Sequence, residues 1–292
     1  MRMLQCLQGN VRVWRRFCRH RFAVWGLGFI LVLMAGALLA PLLAPQNPYK
    51  IGDDFSAAPS REHLLGTDPL GRDVLSRLIY GSQVSVSVGI GAVALTTVLG
   101  ILLGLESGYF GGVSDMIIMR IADVFMSFPS MLLIMIISSI AGPGLDRMIL
   151  IMGILGWPSV ARLVRGTVLS IKQQDYTKSA VALGFKPQRI LFLHILPNAL
   201  GPILVNATFG VARAILTESS LSFLGMGINP PTASWGNMLT DAQSLTTLTA
   251  RPWLWVPPGL LILLSVLAFN FVGDGLRDAL DPRSQGVTEP RR

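Results

Sequence analysis

The feature that most limits how this chain can fold is its division into long stretches without charge, beginning with Phe22 to Leu43, where no ionisable side chain occurs. At a rise of about 1.5 Å per residue, such a run covers the roughly 30 Å hydrocarbon core of a bilayer. Five further apolar runs follow, at 84–105, 116–140, 148–164, 198–217 and 257–272. The expected fold class is therefore an all-α integral membrane protein with six transmembrane helices. Composition agrees, because 292 residues with 51% hydrophobic, 14% charged and a mean hydropathy of +0.57 are too apolar for an ordinary soluble domain. Ala35-Gly36-Ala37 resembles a signal-peptide cleavage site, but the first run is too long for a leader and continues past it.

The net charge of +8 could suggest a nucleic-acid partner, which would need a basic patch beside stacking or base-reading groups. Here the cations gather at the ends of apolar runs instead. The amino terminus, the 162–189 region and the tail from Arg277 hold sixteen of the 24 basic residues. Six crossings place all three on one side, as the positive-inside rule requires, so both termini are expected in the cytoplasm. Cys6 and Cys18, both ahead of the first run, should then be reduced. The expected division is 1–83 (cytoplasmic tail, first helix and outer loop), 84–273 (membrane core) and 274–292 (cytoplasmic tail).

Within the core, Gly89, Gly91, Gly100 and Gly104 offer small faces for close helix packing. Arg120 and Asp123, three residues apart on one face, are expected to pair near the cytoplasmic boundary. Trp157-Pro158 permits a kink. Arg213 lies about fifteen residues into its run, roughly 22 Å along a helix, and is a pathway candidate with Glu218 and Asp123. Trp235, Trp253 and Trp255 suit a membrane interface.

Two polar segments carry more specific signals. From His63 the chain reads HLLGTDPLGRDVLSRLIYGSQVS, where Thr67 or Asp68 can cap a short helix with Pro69 at its first position, and Gly71 keeps the turn compact. Residues 175–197 read DYTKSAVALGFKPQRILFLHILP. Lys178, Lys186 and Arg189 keep this stretch out of lipid, yet Tyr176, Ala180, Val181 and Leu183 recur at roughly helical spacing. Gly184 can close one helix in a left-handed conformation and Pro187 can open the next. Two short helices at a sharp elbow follow.

The elbow resembles the "EAA" loop of ABC importer permeases, with Lys178, Ser179 and Ala180 at the Glu-Ala-Ala positions, then Gly184 and Leu196-Pro197. Lys178 reverses the family's charge, Ser179 replaces its first Ala, and His194 stands at a later apolar position. The His63 segment and the closing NFVGDGLRDALDPR are similar to the peptide and nickel branch of those permeases. The resemblance implies the type I permease fold and a cytoplasmic coupling helix resting on a separate ATPase through Tyr176, Lys178, Ser179, Ala180, Gly184, Pro187, Leu196 and Pro197. It also implies a second homologous permease subunit, one or two ATP-binding subunits holding ATP and Mg, and an extracytoplasmic substrate-binding protein, all at the inner membrane. Peptides are the first expectation for cargo, with nickel or another small solute as the alternative.

No Gly-x-x-x-x-Gly-Lys-Ser/Thr string occurs, so nucleotide must be held by another chain. His20, His63 and His194 are scattered, without metalloprotease spacing, and no Gly-x-Ser-x-Gly is present. Neither a catalytic residue, a metal ligand nor a bound cofactor is expected. An intramembrane protease would need a Ser/His or Asp/Asp pair at depth, and a passive channel gives no reason for the basic elbow.

Overall fold

The computed structural model describes residues 14–280. Cys6 and the terminal cations Arg2, Arg12, Arg283, Arg291 and Arg292, all expected in the cytoplasm, lie outside the described residues. The long helices are α1 (Arg21–Leu38), α2 (Val74–Phe110), α3 (Gly112–Ser127), α4 (Ser130–Ala141) and α5 (Leu145–Lys172), then α6 (Asp175–Ala182), α7 (Leu196–Phe223) and α8 (Val256–Leu280).

The helix that follows the first long loop begins at Val74, ten residues earlier than the apolar run at 84–105. Asp73 caps α2, its carboxylate accepting from the Ser76 amide at 2.8 Å. The expected helix at Pro69 does not form. The Asp68 carboxylate instead accepts from the amides of Leu70 and Arg72, each at 2.9 Å, which folds 68–72 into a closed turn with Gly71 at φ 72°. That turn uses Asp68 locally and leaves Asp73 to cap the helix.

The run 116–140 is not one straight helix. α3 and α4 meet at an angle of 88° around Phe128-Pro129. Pro129 lacks an amide hydrogen and holds Phe128 in an extended conformation (ψ 145°), so the helical ladder stops there. Length and apolarity give five membrane-crossing helices, or six if this bent pair is one span.

Packing settles the count. Gly100, Gly104 and Gly108 of α2 lie against Val160, Val164 and Val168 of α5, so the two helices run parallel. They pack so closely that a Cβ on those glycines would stand 2.5, 2.6 and 2.8 Å from the valine Cβ atoms. Because α2 ends where α5 also ends, residues 111–144 must carry the chain back across the bundle, and α3 with α4 makes that crossing. Gly89 meets Val211 and Ile215, Gly273 meets Phe209, and Gly26 meets Ala268, so α7, α8 and α1 alternate in direction. Both ends of the described chain therefore lie at the same end of the bundle as α6.

At the opposite end, 222–255 folds into short turns and single helical turns, one of them Trp235–Met238. Trp235 is not an interface residue. It is fully buried, and its indole nitrogen donates to the Leu78 carbonyl at 3.3 Å.

Candidate functional site

The elbow is built by local chain chemistry. After α6, Gly184 takes φ 73°. Its amide donates to the Val181 carbonyl at 2.9 Å and the Phe185 amide to the Ala180 carbonyl at 3.2 Å. These two bonds form a Schellman closure, which satisfies carbonyls left open at a helix end. Pro187 then starts a single turn, Pro187–Ile190, that runs through a π turn at Leu191–Ile195 into α7. The second arm of the elbow is thus the foot of α7 rather than a separate helix. Pro197 gives the reason: it has no amide hydrogen, and its ring crowds the carbonyl four residues earlier, which the wider π turn accommodates.

One side of the elbow is anchored. Ala180, Ile190, Leu191 and Ile195 are buried with Leu105 of α2 and Val164, Val168 and Ile171 of α5. Each large aliphatic side chain there contributes about 1.5–3 kcal/mol by leaving water. The other side carries Tyr176 (46% exposed), Val181 (56%), Leu183 (73%), Phe192 (59%) and Leu193 (60%), interspersed with exposed Lys178, Lys186 and Arg189. So many exposed large apolar side chains in a stretch whose cations keep it out of lipid point to a contact face. Of the residues expected to couple, Tyr176, Lys178, Ser179, Gly184, Pro187 and Pro197 are exposed, Leu196 is half-buried, and Ala180 faces the anchor.

A brace invisible in the sequence ties this end together. Arg165 of α5 donates through Nε and an Nη atom to the two Asp115 oxygens, each at 2.6 Å, and the Ser107 hydroxyl also donates to Asp115. Lys172 donates to the Tyr109 carbonyl at 2.7 Å. Asp123 does not pair with Arg120. It accepts from Arg162 at 2.6 Å, because α3 packs on α5 through Ala122, Trp157 and Ala161, which brings Arg162 within reach.

Higher in the bundle, a cavity of about 410 Å³ lies between α2, α5, α7 and the α3–α4 bend, lined by Thr96, Thr97, Phe128, Ser159, Asn206, Arg213 and Thr217 among others. Arg213 makes no ion pair or side-chain hydrogen bond with another described residue. An arginine facing lipid costs about 2.5–3.5 kcal/mol on insertion scales, a cost avoided on a water-lined wall. Glu218 is turned away and fully buried, accepting from the hydroxyls of Ser85 (3.2 Å), Ser219 (3.4 Å) and Ser222 (2.8 Å). Ser85 also accepts from the Trp235 amide at 3.2 Å, so this node pins the 222–255 segment to α2 and α7. Arg213, Glu218 and Asp123 are therefore in three separate settings.

The turn at 68–72 holds a second charge cluster. Asp68 receives Arg72 at 2.6 Å and Arg77 at 3.4 Å. Nearby Asp241 has its pKa raised, first by burial and then by the charge of Asp68, against the opposing pull of Arg77 and Arg72. His63 reaches Asp73 at 3.0 Å.

Fold and site together define a six-span helical membrane protein that presents a braced, partly apolar elbow at the end holding both described chain ends. The family model for the binding-protein-dependent transport system inner membrane component matches residues 97–286, and that for the N-terminal TM domain of oligopeptide transport permease C matches residues 11–60. The chain belongs to the family of binding-protein-dependent transport system inner membrane components. It is 42% identical to the dipeptide transport system permease protein of Haemophilus influenzae, over 92% of this chain and 93% of that one. It is likewise 42% identical to the oligopeptide transport system permease protein of Bacillus subtilis, over 92% and 88%. The glutathione transport system permease protein of Pectobacterium atrosepticum is 43% identical over 92% and 90%.

Proposed function

We propose that this chain is one of two membrane-spanning subunits of an ATP-driven importer of short peptides, moving its cargo by alternating access. The exposed, Schellman-closed elbow carries the reading. It is closed by two backbone hydrogen bonds, it is anchored on α2, α5 and α7, and it exposes large apolar side chains together with Lys178, Lys186 and Arg189. A push on α6 passes directly into α5 through Lys172 and into α7 through the π turn.

The chain itself is non-catalytic in this proposal. ATP and Mg are held by one or two partner ATPase subunits that dock on Tyr176, Lys178, Ser179 and the flanking apolar side chains. A second permease subunit completes the pathway across the face bearing the 410 Å³ cavity, with Arg213 on its wall. A substrate-binding protein delivers cargo to the 222–255 side. Arg162, Arg165, Lys178, Lys186, Arg189 and Arg277 at the elbow end support a cytoplasmic placement of that end and of both termini. Peptide names among the relatives favour peptides over nickel as cargo.

The test is uptake by the reconstituted complex. Labelled dipeptide should accumulate in proteoliposomes only with ATP, the ATPase subunits and the binding protein. Flux that persists without ATPase would make the chain a channel instead.

A further inference from the structure

We infer that Arg213 is a cargo-selective position inside the membrane, recognising the carboxylate end of the transported peptide. The inference rests on the peptide-import reading and adds a binding group to it. Asn206, Gly210, Arg213 and Thr217 follow one another at helical spacing, so they form a single stripe on α7, and all four line the cavity. Thr96 and Thr97 of α2 line it as well. The rest of the lining is apolar apart from Ser130 and Ser159, and no Asp or Glu belongs to it.

The carboxylate next in sequence is no counterion. Glu218 is buried away from the cavity and engaged by Ser85, Ser219 and Ser222. The guanidinium is thus the one charged group on the lining, exposed and without an ion-pair partner among the described residues. A planar fork of N–H donors recognises a planar anion with two acceptor oxygens. A linear peptide's terminal carboxylate is such an anion, and it is present whatever the side chains. The Asn206 amide and the Thr97 hydroxyl can meet backbone amides, which are equally independent of sequence, and the Thr96 and Thr217 hydroxyls, which donate to the Gly153 and Arg213 carbonyls, can still accept from them. At about 410 Å³ the cavity is within the size range of small-ligand sites.

The experiment uses the whole complex in proteoliposomes, with the binding protein saturated by one dipeptide, either as the free acid or as its C-terminal amide. Wild type is compared with Arg213→Gln and Arg213→Lys, with assembly yield and cargo-free ATPase activity measured alongside. Arg213→Gln should slow uptake of the acid by about tenfold or more, the effect of losing one charge-assisted hydrogen bond, while changing uptake of the amide less than twofold. Arg213→Lys should recover at least a third of the acid rate. If wild type does not move the amide, the acid decides alone, and a loss of twofold or less in Arg213→Gln overturns the inference. Equal losses for acid and amide, or failure of the variant complex to assemble, also overturn it by making Arg213 a structural charge. Wild type that moves neither peptide while hydrolysing ATP would instead defeat the peptide reading.

Discussion

Replacement of Gly184 isolates the physical basis of the elbow. The residue has φ 73°, and a Cβ built on it would meet nothing within 4 Å. Substitution therefore adds no clash, and its whole effect is the backbone cost of a left-handed conformation. For an ordinary L-residue that cost is about 1–2 kcal/mol, while Asn tolerates the region better and β-branched residues tolerate it least. Because about 1.4 kcal/mol is a tenfold change in an equilibrium constant, Ala should reduce the fraction of correctly closed elbows by roughly three- to fifteenfold where open and closed forms are otherwise equally populated. Val should reduce it by tenfold or more, and Asn by little. The closure at risk consists of two hydrogen bonds, Gly184 to Val181 and Phe185 to Ala180. Co-purification of the ATPase subunit with tagged permease, with ATP-dependent uptake measured in parallel, should follow the order Gly, Asn, Ala, Val. A Val variant that retains the ATPase like wild type, or an Asn variant as poor as Val, would refute the reasoning.

Three further outcomes follow from the packing. A double-mutant cycle on Asp115 and Arg165, read by thermal denaturation in detergent, should give a coupling near 1 kcal/mol, because the pair is bidentate and only a third or less exposed. The same cycle on Asp123 and Arg162, about half exposed, should give a few tenths at most. Glu218→Leu should lower stability by ~2 kcal/mol or more by stranding the Ser85, Ser219 and Ser222 hydroxyls, with Glu218→Gln milder, measured through the fluorescence of buried Trp235. Burial raises the Asp241 pKa, so the folded state binds its proton more tightly and loses stability as pH climbs through the raised value. Asp241→Asn should consequently raise the melting temperature at pH 7, with the gain over wild type vanishing as pH falls toward 3.8, the group's ordinary value.

Much of this architecture is legible because it depends on residues close in sequence. An uncharged run such as 22–43 declares a spanning helix, and Gly184 with Pro187 three residues on declares a closed turn followed by a new start. Local competition is harder to read. Asp68 and Asp73 are both good caps, and only the turn at Gly71 decides between them. Pro129 is visible within 116–140, yet the apolar character of its surroundings hides the 88° break. Contacts between distant segments leave no trace in one sequence. The Asp115–Arg165 brace joins residues fifty apart, and Asp123 looks paired with Arg120 until α3 is laid on α5. Trp235 reads as an interface residue because its burial comes from α2, more than 150 residues earlier.

Alternating access in the proposed importer requires the elbow to receive force from a nucleotide-hydrolysing neighbour. In an assembled complex with Cys6 and Cys18 replaced, single cysteines at Val181 and Leu183 should cross-link to the ATPase subunit, and one at Leu42, exposed in the short turn Ala40–Leu43 that follows α1, should not. Labelling of Val181 or Leu183 sites by an impermeant maleimide added outside intact cells, with no ATPase adduct at either position, would contradict it.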